Sequence, residues 1–394
     1  MTASDLRHAT SHYAIRIPGQ APVDLSKHTL IDKNHKEHHI YFNTSGFHNH
    51  LIHHYLAAYS LGSDMNRLQD IFYAHASYQR PMPPSVRTLT RENYHQELCN
   101  REAYTSYLNL FKEEIKSHGV VETVRYWMFK DKMVAQMLGG AYHPLIHLGY
   151  GLEFDLPDIV AEAFAMGACT EPYPEPVMEY LTDQLEEGPP DLVNGTKTIM
   201  DLLNAVYKDP ELEGVVKFTD ELKSSSVLQS PKAVAKLSEY ASQWHIKDIE
   251  SAIQELLVGC ILLFTTSGIR KEGIKLDFFL AHAVTSAHAV YTVLPYLTPI
   301  QAELLLRGHL TESLMYYLAR GRPSLQLDLL LDYKSPQAVV RAIALAQTVY
   351  GNPSNNAILL KAAQVTVDIA GKSAAADVAF NFAGIGFEEA WEQQ

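Results

Sequence analysis

Apolar residues recur every three to four positions along most of this chain, which is the spacing of amphipathic helices. The pattern predicts helices over residues 47–61, 68–78, 93–118, 120–138, 159–166, 176–185, 194–203, 232–244, 248–264 and 276–297. Short β-branched stretches, such as residues 214–218, are too few and too isolated to build a sheet. The sequence therefore predicts an all-α protein.

The domain boundaries follow from where this pattern begins. Residues 1–41 carry scattered polar residues and prolines, which predicts an N-terminal arm. Residues 42–394 show no composition shift or long linker, which predicts one large multi-helix domain. An arrangement of two lobes hinged at the proline-containing loop 187–191 is the alternative.

Composition and charge narrow the class of partner. The net charge is −13 and there is no dense run of Lys or Arg, which argues against nucleic acid or an anionic membrane surface. No apolar run approaches the roughly 20 residues that span a bilayer, and residues 1–33 lack a signal-peptide core. Three scattered cysteines without a CxxC pair indicate reduced thiols. We therefore expect a cytoplasmic protein with no membrane span.

Two histidines in AYHPLIHLGYGLEFD, residues 141–155, suggest a metal site. His143 and His147 are four residues apart, so on a helix their imidazoles leave the same face, about 5–6 Å apart. That separation allows both rings to bind one ion. Pro144 indicates the first turn of a helix, and Gly149 and Gly151 predict a flexible segment after it.

A second predicted helix, residues 47–61, carries another pair at the same spacing. His50 and His54 share one face, whereas His53 projects to the side. Packing alone explains such a concentration of imidazoles poorly, because each buried ring needs partners for both nitrogens. A hydrogen-bonded polar seam remains the alternative to a metal site.

The remaining histidines divide between a buried helix and the arm. His282 stands deepest in the apolar stretch 276–297, where a polar ring requires a strong partner. The residues His35, His38 and His39 of the arm read instead as a solvated polar stretch.

Several motifs, in order along nearly the whole chain, carry a family resemblance: FHNHLIHHYLAAYSLGS, SYQRP, YHPLIHLGYGLEF, DFFLAHAVTS, VVRAI and GIGFEEAWE. The chain resembles the questin oxidase-like family, which is found mainly in fungi and often in aromatic polyketide pathways. This resemblance implies oxidative opening of an anthraquinone or related polycyclic ring. Some family members are described as Baeyer–Villiger-type oxidases using NADPH, and others as non-haem iron dioxygenases with four histidine ligands and a carboxylated lysine.

Carried onto this sequence, the resemblance implies a metal site in the helical core. His143 and His147 would come from one helix and His282 from another. His54 is the expected fourth ligand, with His50 as the second choice and His53 as a further candidate.

The fifth ligand is where this chain departs from the family pattern. Ala338 stands at the position that the resemblance assigns to the lysine, and Lys334 is about one helical turn out of register. Several outcomes stay open: water completes a four-histidine site, or Lys334, Lys361 or Glu153 substitutes, or the iron chemistry has been lost.

The sequence also bears on the cofactor. No glycine-rich turn between a strand and a helix is present, so no flavin or nicotinamide motif is recognised, although NADPH stays an alternative. Imidazoles without thiolates suit oxygen activation at Fe(II). Together with the donor set, the resemblance implies an Fe(II)-dependent, ring-cleaving oxygenase that acts on a small aromatic polyketide with O2.

The substrate pocket and the competing functions complete the expectations. Candidate pocket residues are Tyr78, Arg80, Tyr142 and Tyr150. One alternative function is zinc-dependent hydrolysis with Glu153 or Asp155 as the base. Another is a non-catalytic relative that binds a polyketide.

Overall fold

The computed structural model describes residues 29–131, 133–172, 195–333, 356–370 and 380–392. These residues form helices and a single two-stranded ribbon, which confirms the all-α prediction. The chain divides into two compact units, the first comprising residues 1–173 and 289–298 and the second residues 174–288 and 299–394. The predicted hinge at residues 187–191 and most of the predicted arm lie outside the described residues.

The first unit contains seven α-helices and three short 3-10 helices among its described residues. They are α1 Thr29–Glu37, α2 Leu51–Ser60, α3 Met65–Ala76, α4 Tyr104–Trp127, α5 Met133–Leu138, α6 His143–Glu153 and α7 Pro157–Ala168, with 3-10 turns at Tyr94–Glu97, Arg101–Ala103 and Leu294–Tyr296. Helix α7 packs against both α6 and α4, and almost every residue of α7 is buried. This unit therefore has α7 at the centre of its helical core.

Helix α6 begins sharply because the chain before it turns through the left-handed region. Ala141 has φ 55° and Tyr142 has φ 60°, and Pro144 then occupies the first turn, where a missing N–H costs nothing. The helix runs unbroken to Glu153, so the prediction of a flexible segment after His147 is wrong.

The two glycines of α6 are there for close packing. A Cβ on Gly149 would lie 2.6 Å from the Cβ of Ala289, and one on Gly151 would lie 2.8 Å from the backbone nitrogen of Val160. Both distances are far below van der Waals contact. The two glycines from which the sequence predicted flexibility therefore allow neighbouring helices to pack closely against α6.

Helix α1 corrects the expectation of a solvated arm. His35 is 4% exposed and His39 is 1% exposed, so both imidazoles are buried. Ile31 of α1 belongs to the hydrophobic cluster that also contains Leu51 and Phe72, and His35, one helical turn later, lies on the same buried face of α1. Histidines in a charged sequence can therefore be buried when one apolar residue anchors their helix.

The second unit contains the remaining helices and the ribbon. They are α8 Ile199–Lys208, α9 Lys223–Leu228, α10 Pro231–Ser242, α11 Ile249–Ser267, α12 Phe278–Val293, α13 Pro299–Ala319, α14 Leu327–Asp332, α15 Asn356–Ala370 and α16 Glu389–Glu392, with a 3-10 turn at Pro210–Leu212. Strands β1 Ile269–Arg270 and β2 Gly273–Ile274 pair antiparallel, with Ile269 opposite Ile274. The last residues of α12, from Ala289 onward, belong to the first unit.

Helix α11 is the one described helix that is long and apolar enough to cross a membrane by length and composition. In this fold, 67% of its apolar window is buried inside the protein. It packs against α13, α14 and α15, which is the setting of a core helix. Its composition is therefore accounted for by packing within the second unit.

Helix α13 carries a carboxyl group in an apolar setting. Glu312 is fully buried, and neither of its oxygens has a hydrogen-bond partner among the described residues. Burial raises the pKa of Glu312 well above its usual value. This effect is larger than the opposing, lowering effect of the neighbouring Tyr316. The protein interior therefore favours the neutral, protonated form of Glu312.

We expect Gly149→Ala to destabilise the protein by about 1–3 kcal/mol, because the new methyl group would overlap Ala289. Chemical denaturation monitored by far-UV circular dichroism measures this. Adding Ala289→Gly to Gly149→Ala should restore part of the loss, because it removes the methyl group that the new side chain meets. A Gly149→Ala protein as stable as the wild type would contradict the close packing.

We expect Glu312→Gln to be more stable than the wild type at pH 8, and the difference to shrink towards pH 5. Since the folded-state pKa is raised, the unfolded chain loses the Glu312 proton first. The wild type therefore loses stability as pH rises above about 4.5, at up to about 1.4 kcal/mol per pH unit, until the folded-state pKa is reached. Thermal unfolding across this pH range measures the effect. A variant that is less stable at every pH would contradict a neutral Glu312.

Candidate metal centre

Four imidazoles of the first unit form one cluster between the start of α2 and helix α6. The Nε2 atoms of His50 and His143 lie 2.7 Å apart, and Nε2 of His53 lies 3.1 Å from Nδ1 of His147. The ring of His53 joins the two pairs, with its centroid 5.8 Å from that of His50 and 6.2 Å from that of His143. The cluster is therefore one continuous group of rings.

The local structure at α2 decides which of its histidines face α6. His50 is not inside the helix but precedes its first residue, with φ −90° and ψ 4°. His53 lies in the first turn and stacks on Tyr150 of α6, with ring centroids 5.2 Å apart. Because His50 is outside the helix, the i, i+4 rule that paired it with His54 does not apply.

His143 is held with a defined proton position. Its Nδ1–H donates to the carbonyl oxygen of Gly140 at 2.6 Å, so its Nε2 presents a lone pair. That carbonyl is available because the chain turns through the left-handed region just before α6. The ring of His48 stacks on His143, with centroids 4.3 Å apart and planes 12° from parallel. His143 is 5% exposed, so it is a buried imidazole fixed on one edge and one face.

His147 is held by a carboxylate. Its Nε2 lies 2.7 Å from Oε2 of Glu162, and both side chains are almost fully buried. Burial favours the neutral acid, but hydrogen bonds from His147 and His35 outweigh it and lower the pKa of Glu162 to about 2. Glu162 is therefore an ionised carboxylate in the core, and it keeps a proton on the Nε2 atom of His147.

His54, the expected fourth ligand, lies elsewhere. It is exposed, and its Nδ1 is 3.0 Å from Nε2 of His75, whose own Nδ1 is 2.6 Å from the hydroxyl of Tyr78. Burial and the neighbouring His54 and His50 lower the pKa of His75 to about 4. The structure therefore brings His50 rather than His54 to His143, and Tyr78 belongs to the group formed by His54 and His75.

His282 lies in the second unit, on α12. Its Nδ1–H donates to the carbonyl oxygen of Phe278 at 2.7 Å, which makes Nε2 the nitrogen with ligand character. Lys334 and Ala338 lie outside the described residues, and Lys361 donates to the carbonyl oxygen of Tyr333. The prediction that His282 binds the same ion stays a prediction.

The other predicted pocket residues, Tyr150, Tyr142 and Arg80, and the ligand or base candidate Glu153 have different settings. Tyr150 stacks on His53 and so adjoins the cluster, whereas Tyr142 is fully buried at the start of α6. Arg80 donates to the carbonyl oxygen of Asn43 at 3.3 Å, and Glu153 is the half-buried last residue of α6. Of these four, Tyr150 is the one with a ring contact to the cluster among the described contacts.

Glu162 and His35 were missed by sequence reasoning, although one cue was present. Glu162 is the sole ionisable residue in VAEAFAMGA, residues 160–168, and an acid within such an apolar helix requires a buried partner. The identity of that partner depends on tertiary packing, since His35 is 127 positions away.

Sequence comparisons identify related proteins. The Questin oxidase-like family model matches residues 47–370. The chain is 28% identical to the Baeyer-Villiger oxidase AgnL3 of Paecilomyces divaricatus over 78% of this chain and 70% of that protein. It is also 28% identical to the questin oxidase of Aspergillus fumigatus, over 77% and 72% of the two chains.

A further relative is the oxidoreductase AflY of Aspergillus parasiticus, 25% identical over 78% of this chain and 65% of that protein. The names of these relatives support an oxidoreductase. The family model covers most of the sequence, including both helices of the histidine cluster. The chain belongs to the questin oxidase-like family.

Proposed function

We propose that this protein is an Fe(II)-dependent oxygenase that cleaves a ring of an aromatic, anthraquinone-type polyketide. The observation that carries the proposal is the approach of His50 Nε2 to His143 Nε2 at 2.7 Å, with Nδ1 of His143 already committed to Gly140. This arrangement turns one imidazole lone pair of a buried, fixed ring towards a second imidazole. A histidine whose other N–H is held by a backbone carbonyl is typical of a metal ligand.

The distance between these nitrogens fits shared coordination. Two imidazole nitrogens bound to one ion at about 2.1 Å lie about 3.0 Å apart at right angles and about 3.4 Å apart in a tetrahedral site. The two nitrogens of His50 and His143 are 2.7 Å apart, so shifts of a few tenths of an ångström would bring them to these coordination distances. Without an ion, Nε2–H of His50 donates to the lone pair of His143, so metal binding would displace that proton.

The donor set favours iron for an oxidoreductase. Imidazoles bind Fe(II), Zn(II) and Cu(II), and of these zinc does not undergo redox chemistry. Iron would supply the redox chemistry with O2 when bound. Imidazoles are neutral ligands, so the loaded site would carry the full charge of the ion and would favour an ionised phenol or enol of the substrate.

The residues of the cluster also indicate where a substrate approaches. His143 and His147 are 5% and 0% exposed, whereas His50 and His53 are only half-buried. A ligand therefore reaches the cluster from the side of α2. Tyr150 stacks on His53 and on Phe154, so the rings of α6 offer a flat aromatic surface beside the imidazoles.

A second candidate function is an NADPH-dependent Baeyer–Villiger-type oxidation of the same class of substrate. It is favoured by the names of several relatives, such as the Baeyer-Villiger monooxygenase dmxR6 of a Cryptosporiopsis species. The two candidates differ in the fate of oxygen. A monooxygenase inserts one atom, reduces the other to water and needs two electrons from NADPH, whereas a dioxygenase inserts both.

We expect the Fe(II)-loaded protein to consume one O2 for each reduced anthraquinone that it cleaves, without NADPH. The protein is loaded anaerobically, mixed with the hydroquinone and exposed to 18O2, and the product is examined by mass spectrometry. Two labelled oxygens indicate a dioxygenase. The same reaction is run in parallel with NADPH, where one label with stoichiometric NADPH oxidation indicates the Baeyer–Villiger alternative. Oxygen uptake without NADPH that is no faster than with zinc-loaded protein would refute the iron-dependent oxygenase, and no oxygen uptake with NADPH would refute the alternative.

We expect His50→Ala and His143→Ala each to weaken Fe(II) binding by at least about 100-fold, since each removes a direct ligand. His54→Ala is the matched control and should leave the affinity unchanged, because His54 pairs with His75. Anaerobic titration with a competing chelator measures these affinities. His282→Ala tests the predicted third ligand in the same assay. Equal affinities in the His54 and His50 variants would contradict the proposed pair.

A further inference from the structure

Glu162 is a buried carboxylate whose two oxygens are both used by imidazoles. Oε2 lies 2.7 Å from Nε2 of His147, and Oε1 lies 2.6 Å from Nδ1 of His35. The side chain of Glu162 is 2% exposed and that of His35 is 4% exposed. No Lys or Arg contacts this carboxylate among the described contacts, so its partners are the two imidazoles.

The chemistry of these contacts fixes the protons. A carboxylate can only accept, so the facing nitrogens, Nε2 of His147 and Nδ1 of His35, must both donate. In the neutral imidazole, a proton on Nε2 of His147 leaves its Nδ1 as a lone pair. That lone pair points at Nε2 of His53, 3.1 Å away, and therefore into the histidine cluster.

The contact between Lys112 and His35 also determines where the proton of His35 lies. The ammonium of Lys112 lies 2.9 Å from Nε2 of His35, and an ammonium can only donate. Nε2 of His35 therefore accepts, which again assigns the His35 proton to Nδ1. Asp158, one helical turn before Glu162, lies 3.2 Å from Lys112 and holds that ammonium at the surface. The successive contacts therefore run from Lys112 through His35, Glu162 and His147 to His53.

We infer that Glu162 is a positioning residue of the metal centre: it holds His147 in the tautomer whose Nδ1 lone pair faces the cluster. The part of this inference that concerns metal affinity rests on the proposed function, whereas the tautomer does not. A carboxylate behind an imidazole fixes the ring orientation and raises its basicity as a ligand. Loss of such a partner typically weakens metal binding by about 10–100-fold.

The informative variant is Glu162→Gln, which keeps the size of the side chain but has one accepting oxygen. Because Lys112 keeps the proton of His35 on Nδ1, His35 takes the oxygen of the glutamine. The amide NH2 then faces Nε2 of His147, which must accept. The proton of His147 is therefore expected to move to Nδ1, the nitrogen that faced the cluster.

The matched control is Asp158→Asn, a carboxylate-to-amide change on the same helix. Asp158 is 55% exposed, lies 3.2 Å from Lys112 and 3.8 Å from Nε2 of His35, and touches no histidine of the cluster. Because asparagine keeps an accepting oxygen for Lys112, both the tautomer of His147 and the metal affinity should stay as in the wild type. A merely structural effect of removing a negative charge from α7 would appear in both variants.

The first readout needs no metal. Two-bond 1H–15N correlation spectra of the metal-free protein distinguish a protonated imidazole nitrogen from a bare one, and a His147→Gln protein assigns the signals. We expect a bare Nδ1 on His147 in the wild type and in Asp158→Asn, and a protonated Nδ1 in Glu162→Gln. A protonated Nδ1 in the wild type overturns the inference even where the Glu162 variant does not fold.

The second readout is the affinity for Co(II), a spectroscopic substitute for Fe(II), measured from its visible absorption. We expect a 10–100-fold loss in Glu162→Gln and none in Asp158→Asn. An unchanged affinity in Glu162→Gln, or an unchanged His147 tautomer, overturns the positioning role. A wild type with the expected tautomer but no Co(II) binding would refute the metal centre instead, so the two failures are distinguishable.

Discussion

A metal-binding imidazole almost always donates its other N–H to an acceptor that fixes the ring and its tautomer, and in a protein core that acceptor comes from the fold. In this protein, the carbonyl oxygen of Gly140 takes the proton of His143, and the carboxylate of Glu162 takes that of His147. The two rings are one helical turn apart on α6, yet their partners come from different elements. The cluster therefore depends on the placement of both acceptors at once.

The glycines of α6 provide the room that this placement needs. Glu162 reaches His147 because α7 packs closely against α6, and Gly151 allows the backbone of α7 to approach. Gly149 allows an equally close approach of Ala289 on the other side. The same two residues that resemble a hinge in the sequence thus make α6 a rigid support for its histidines. A rigid support is what a site with defined tautomers requires.

The buried ionisable groups illustrate two ways of carrying a carboxyl group in a helical core. Glu162 is surrounded by imidazole donors and stays ionised. Glu312 has no hydrogen-bond partner among the described residues, and burial raises its pKa towards the neutral form, because removing a carboxylate from water without donors is costly. Only the ionised group can fix the protons of its neighbours. Glu162 contacts two imidazoles, whereas Glu312 contacts none among the described residues.

The sequence by itself determined the all-α class, the helices around the histidines and the family, because apolar spacing and motif order are local properties of the chain. It also selected His143 and His147, since their spacing places them on one face of a helix. Tertiary structure decided the partners. His50, and not His54, lies opposite His143, because helix α2 begins at Leu51 and leaves His50 just before it, and His35 was buried because α1 packs inward. Glu162 joined His147 across a gap of 15 residues and His35 across 127, and no periodicity in the sequence encodes such distances.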